Sequence, residues 1–204
     1  MNFIKGIFTA IGTIVVFGLI FVFVKFDLGT RIEQVKALDP QALPEYMKMF
    51  DKVLTTGDPA KGMVRKVKMQ IPEGMTKEEA IENAIEVMDS VGEEYGLAMV
   101  DTKLMSRGET DSAGVYQPYI RIRSYCSKTI AQIFLGHSAE FIGFMPCRIG
   151  IVENKKGEIW LYTMSMELMI NGGQPLPPKL LKLANEVRTG MYSMLEKAAK
   201  GDED

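Results

Sequence analysis

The sequence predicts an α+β domain, a two-layer sandwich of mostly antiparallel sheet with helices on one face, carried behind one N-terminal transmembrane helix. Three observations predict it. An eighteen-residue run from Ile7 to Val24 carries no charge. Short segments alternate apolar and polar residues near 66–71, 98–104 and 120–126, as half-buried strands require. Two longer segments, near 76–96 and 178–198, place apolar residues at helical spacing. Strands joined partly by hairpins favour an α+β sheet over a doubly wound nucleotide fold.

The apolar run comes first. As a helix at about 1.5 Å per residue it spans roughly 27 Å, close to bilayer thickness. The short start to Lys5 resembles the basic region of a signal peptide, yet no small-x-small cleavage site follows Val24. Phe23, Val24, Lys25 and Phe26 point to retention. Lys5 lies on one side of the run, and Lys25, Arg31 and Lys36 on the other, so the lysine and arginine bias alone is ambiguous. The export-like start places the N-terminus inside. The expectation is a single-pass protein of the cytoplasmic (inner) membrane that contacts the lipid bilayer through Ile7 to Val24. Its domain then lies on the extracytoplasmic side, the periplasm in a diderm bacterium.

Three regions follow: an anchor over residues 1–26, a stalk or helical cap over 27–59, and an α/β domain over 60–204. Gly29–Ala37 is amphipathic, Pro40 and Pro44 interrupt the chain, and Pro44–Leu54 is a second helix. The turn cluster Thr55–Pro59 marks the boundary.

Within the domain, Val67, Met69 and Ile71 form the apolar side of the first strand. Thr76 and Glu79 form a capping box, and Ile81, Ile85, Met88 and Val91 continue the helix until Gly96. Ala98, Val100, Thr102 and Leu104 make a second strand face; Ile120, Ile122, Ser124 and Cys126 make a third. A short helix spans Ser127–Leu135. Asn154-Lys155-Lys156-Gly157 joins two further strands, Pro146–Glu153 and Glu158–Thr163, as a hairpin. Pro178 opens a final helix with Leu180, Leu183, Ala184, Val187, Met191, Met194 and Ala198 on its apolar side.

Composition excludes several functions. Lys and Arg number 24 against 26 Asp and Glu, a net charge of −2, with no basic block that would hold a nucleic acid. The acidic end at Asp204 reads as a solvated terminus. With a single histidine, most histidine-dependent clusters are ruled out. No Gly-x-Gly-x-x-Gly, Walker, Gly-x-Ser-x-Gly or metalloprotease motif is present, and no catalytic residue is assigned.

Three groups of residues remain. Cys126 and Cys147 both belong on the apolar side of their strands and are expected as neighbours. Their sequence fits two buried inert thiols, a disulfide or redox pair, or a soft-metal site for copper or zinc that includes His137. Met47 with Met49, and Met164 with Met166 and Met169, have thioether spacings suited to copper(I), although methionine equally fills cores. Finally, Lys66, Lys68, Arg121, Arg123 and Arg148, with Tyr119 and Tyr125, are expected on the open side of the sheet as a surface for a second copy, an acidic partner or an anion. Asn171–Pro175 reads as a turn or a backbone anion nest.

The run from Tyr125-Cys126 through Phe144-Met145-Pro146-Cys147-Arg148-Ile149, then Gly157-Glu158-Ile159-Trp160 and a terminal helix, resembles the family called domain of unknown function 302. The resemblance covers roughly Val64 to Lys200. It implies a compact α/β sandwich, often dimeric, and brings no established activity. The expected function is therefore that of a membrane-anchored binding or accessory module, a homo-oligomer or a subunit of a larger membrane protein complex. The alternative is thiol-redox or soft-metal handling at the two cysteines.

Overall fold

The computed structural model describes residues 2–202; Met1 and the acidic end at Asp204 lie outside them. Helix α1 (Asn2–Lys25) holds the apolar run. From Gly6 to Lys25 its mean hydropathy is 2.7 and none of it is buried against the chain, and among the described residues it alone is long and apolar enough to cross a membrane. Such a helix serves as a signal sequence or a single membrane anchor. Asp27, at a left-handed φ of 48°, separates it from α2 (Leu28–Lys36).

Helix α3 (Ala42–Thr56) begins two residues before the expected start and ends on Gly57. It has two apolar sides. One meets the domain, where the Tyr46 hydroxyl donates to the Gly172 carbonyl at 3.0 Å and the preceding Asp39 N–H donates to Gly173 at 2.8 Å. The other, Leu43, Met47, Phe50 and Leu54, is bare, each residue more than half exposed. A short α4 (Pro59–Met63), capped by Asp58, leads into the sheet.

The sheet has five strands, β1 (Val64–Lys68), β2 (Ala98–Thr110), β3 (Tyr116–Cys126), β4 (Cys147–Glu153) and β5 (Ile159–Met164), in the order β1-β5-β4-β3-β2. Every neighbouring pair is antiparallel. Helices α5 (Lys77–Glu94), α6 (Lys128–His137), α7 (Glu167–Asn171) and α8 (Pro178–Lys200) complete the α+β fold, with a 3-10 segment at Ala139–Phe144. The predicted order of strands and long helices is the one observed; α7 and the 3-10 segment are additions.

Local chemistry sets these boundaries. Thr76 and Glu79 exchange both capping-box hydrogen bonds at the start of α5. The Asn154 side chain accepts from the N–H groups of Lys156 and Glu158, and Gly157 takes the positive φ of 77° that closes the β4–β5 hairpin. The first strand ends at Lys68, so Met69 is buried as expected, whereas Ile71, next to Pro72, is exposed.

The core lies between the sheet and helices α5 and α8. Ile149, Ile151 and Leu161 of the sheet meet Ile81, Met88 and Val91 of α5 and Met191, Met194 and Leu195 of α8, all essentially inaccessible. Each such aliphatic side chain contributes about 1.5–3 kcal/mol on burial. The helices approach closely at Gly190, where a Cβ would sit 2.8 Å from the Tyr95 side chain.

Strand β3 reverses the expected faces. Its register pairs Arg121 with Ile151, Arg123 with Ile149 and Tyr125 with Cys147, which puts Arg121, Arg123, Tyr119 and Tyr125 on the helix side. Ile120, Ile122 and Ser124 take the other side. Hydrophobic alternation misleads here because the arginines have anionic partners on α5. Arg123 Nη2 donates to Asp89 at 2.6 Å, and its Nε donates to the Tyr125 hydroxyl at 2.9 Å. That hydroxyl donates in turn to Asp89 at 2.9 Å. Arg121 pairs with Glu82, one stretch earlier on the same helix. In β2, extra residues at Val100 and Met105 break the alternation, so Thr102 and Leu104 share the helix side while Val100 points to solvent.

Among the described residues Glu153 is the other buried charge. It accepts from the Tyr116 hydroxyl at 2.7 Å, the Tyr119 N–H at 3.0 Å and Lys77 Nζ at 2.9 Å. Burial pushes its carboxyl up, but these donors outweigh burial and hold it below the usual carboxylate range.

Asp89→Ala leaves the buried Arg123 without its anion and is expected to cost about 2–3 kcal/mol in urea unfolding. Glu82→Ala, at an exposed pair, is expected to cost less than about 1 kcal/mol; equal losses would contradict the assignment. Because the folded Glu153 carboxyl is depressed, its contribution is complete above the ordinary value of about 4.3 and is lost as pH falls through the lower folded value. Glu153→Gln is expected to cost about 2 kcal/mol at pH 7 and to flatten the loss of stability in acid, measured as midpoint against pH.

Candidate functional site: a sulfur-lined cavity and a bare sheet face

Cys126 is the last residue of β3 and Cys147 the first of β4. Cys147 stands opposite Tyr125, so Cys126 is one residue beyond it. Both are free thiols, and both line one cavity of about 50 Å³ beneath α6 and the 3-10 segment. Phe134, Phe141 and Phe144 wall it on one side, with Phe134 and Phe141 in edge-to-face contact at 5.1 Å. Met145, Met166 and Met169 line it as well.

The electrostatics follow from this apolar setting. Burial pushes the Cys126 thiol up. Burial, and then the neighbouring Cys126, push Cys147 up to about 11, against an opposing pull from Arg148. Both thiols are therefore protonated at neutral pH, the reverse of an activated nucleophile.

His137 stands apart. It ends α6, with its ring 6.4 Å from that of Phe141, and it is not among the cavity residues. Among the described residues no three His, Cys, Asp or Glu side chains gather as a metal site. Of the methionines singled out by spacing, Met166 and Met169 reach the cysteine cavity. Met49 and Met164 line a larger adjoining cleft of about 500 Å³ between α3 and the domain, and Met47 lies on the bare side of α3. The cysteine-methionine convergence was only half visible in sequence, because Met145 precedes β4 and Met166 follows β5. Gly172 and Gly173 spend their carbonyls on docking α3.

The basic residues divide between the two faces. Arg121 and Arg123 serve the helix side. Lys66, Lys68 and Arg148 are exposed on the other, where the registers align Lys66, Tyr162, Gly150 and Ile122 in one row and Lys68, Trp160, Val152 and Ile120 in the next. Ile120, Ile122, Val152, Trp160 and Tyr162 are half-buried there. Lys66 Nζ lies 4.6 Å from the Trp160 ring centre, and Lys68 pairs with Glu158. This surface is thus an apolar strip edged by cations.

The family model described as domain of unknown function DUF302 matches residues 73–198. The chain belongs to the DUF302 family. The match begins after β1, whereas the sequence resemblance reached back to Val64. This DUF302 chain is also similar to a solved structure, the crystal structure of an uncharacterized conserved DUF302 protein from Bacillus stearothermophilus. The TM-score is 0.49 at 14% identity, over 66% of this chain and 97% of that one. No curated protein matches.

Since its folded value lies above the ordinary thiol value of about 8.5, Cys147 is expected to alkylate slowly at pH 8 and to accelerate only toward pH 11. Burial slows Cys126 in the same direction. Iodoacetamide labelling followed by peptide mass spectrometry measures both; a Cys147 rate that levels off by pH 9 contradicts the buried assignment. The raised value also means that the stabilisation from Cys147 is present below the unfolded thiol value and is lost as pH rises through the folded one.

Proposed function

We propose that this chain is a membrane-anchored binding module, an accessory subunit of a membrane-associated assembly with no catalysis of its own. Its N-terminal helix stays in the cytoplasmic membrane with the N-terminus inside, and the domain works on the extracytoplasmic side. It associates with a second copy or a neighbouring membrane subunit through the sheet face turned away from α5 and α8.

The carrying observation is the composition of that face. An antiparallel sheet with one side in water normally presents polar residues there. Here Ile120, Ile122, Val152, Trp160 and Tyr162 form a continuous strip, the kind of exposed apolar surface that marks an interaction site. Lys66, Lys68 and Arg148 around it favour a partner with acidic groups at its rim, since such charges steer encounter and suppress wrong partners. Confinement in the bilayer raises the effective concentration of neighbours, so a modest interface suffices. The bare side of α3 adds support: Leu43, Met47, Phe50 and Leu54 follow the alternating four- and three-residue spacing of a helix-pairing seam.

The test is photocrosslinking in native membranes, with a photoreactive side chain at Ile122 or Tyr162. The expected products contain a second copy or a distinct membrane subunit, and Trp160→Asp is expected to reduce them at least about tenfold, a change of about 1.4 kcal/mol. A chain that stays monomeric and uncrosslinked from both positions ends this reading.

A further inference from the structure

The cavity behind the sheet gathers sulfur to a degree that packing alone does not require. Five of its lining residues carry sulfur: Cys126, Cys147, Met145, Met166 and Met169. They arrive from separate segments, the end of β3, the approach and start of β4, and the start of α7. Apart from Ser127, the rest of the lining is aromatic or aliphatic, and no carboxylate or imidazole is among it.

That donor set is selective. Hard ions such as magnesium and calcium need oxygen ligands, and structural zinc sites take four thiolate or imidazole ligands. Thiolate and thioether sulfur together select copper(I). A volume of about 50 Å³ is ample for a single ion.

We infer that this cavity is a binding site for one copper(I) ion, held by the sulfurs of Cys126 and Cys147 with thioether sulfur from Met166 and Met169. Charge balance fits the setting. Copper(I) displaces one thiol proton to solvent and forms a copper–thiolate bond; no electron is transferred, and the centre is neutral. The other thiol and the thioethers complete it as neutral donors. A neutral centre suits an apolar wall, where an unpaired charge is costly. The metal must arrive already reduced.

An entry route for the ion belongs to the same inference. The 500 Å³ cleft between α3 and the domain is lined by Met49, Met63, Met164 and Met169, and it shares Met169 and Phe144 with the cavity. Thioethers there pass the ion inward, and Met169 belongs to both spaces. This site lies on the opposite side of the sheet from the docking strip and stands or falls separately from it.

The experiment is anaerobic copper(I) titration of the detergent-purified full chain against a chromogenic copper(I) chelator. One ion per chain is expected, with only sulfur neighbours in the X-ray absorption spectrum. Cys126→Ser and Cys147→Ser are each expected to weaken binding at least about 100-fold, and Met166→Leu and Met169→Leu about tenfold each, by the tenfold steps of a lost ligand. The leucine variants conserve volume and keep the fold, so a fall in affinity with unchanged thermal unfolding reports the ligands themselves. Met49→Leu with Met164→Leu is expected to slow loading severalfold at unchanged affinity; an unchanged rate removes the entry route. Absence of copper(I) binding, binding indifferent to both cysteines, preference for zinc(II), or oxygen and nitrogen neighbours in the spectrum would each overturn the site.

Discussion

The link between Arg123, Tyr125 and Asp89 decides how this sheet faces its helices. A buried guanidinium is tolerable only with an anion and filled donors, and here Asp89 and the Tyr125 hydroxyl supply both. Because Arg123 must reach α5, β3 is held in the parity that turns Tyr125 inward and Ile120 and Ile122 outward. Cys147, paired with Tyr125, is thereby brought to the helix side as well. The cavity on one face and the apolar strip on the other are both consequences of that one register.

Much of the fold was legible because its signals are local. The capping box at Thr76, the Asn154–Gly157 turn, Pro178 and the helical spacing of Ile81, Ile85 and Met88 each act within a few residues, and each element appears where those residues put it. Strand faces were less legible. Apolar alternation assigns the buried side by counting, and β3 offers isoleucines on one parity and arginines with tyrosines on the other. The count favours the isoleucines, yet the arginines are inside. The signal that settles it, the carboxylates of Glu82 and Asp89 seven residues apart on one side of α5, becomes meaningful only once the helix and strand are known to touch.

The site residues divided in the same way. Only Cys147 reaches the helix side by its strand parity; Cys126 shares the outward parity of Ile120 and Ile122 and lines the same cavity from the last position of β3. The methionines and phenylalanines around them come from turns and short helices, whose places in space are set by tertiary packing and leave no periodic trace. Burial, which makes those residues good packing material, also keeps both thiols protonated.

The two outer strands bear on how copies of this domain can meet. β2 is long and lies at the sheet's edge, a backbone row that in a flat strand would recruit further strands. Val100 and Met105 interrupt its pairing, and Asp101, Lys103, Arg107 and Glu109 stud it with charge. At the opposite edge β1 is five residues long and carries Arg65, Lys66 and Lys68. Growth by adding strand to strand is discouraged at both ends of the sheet.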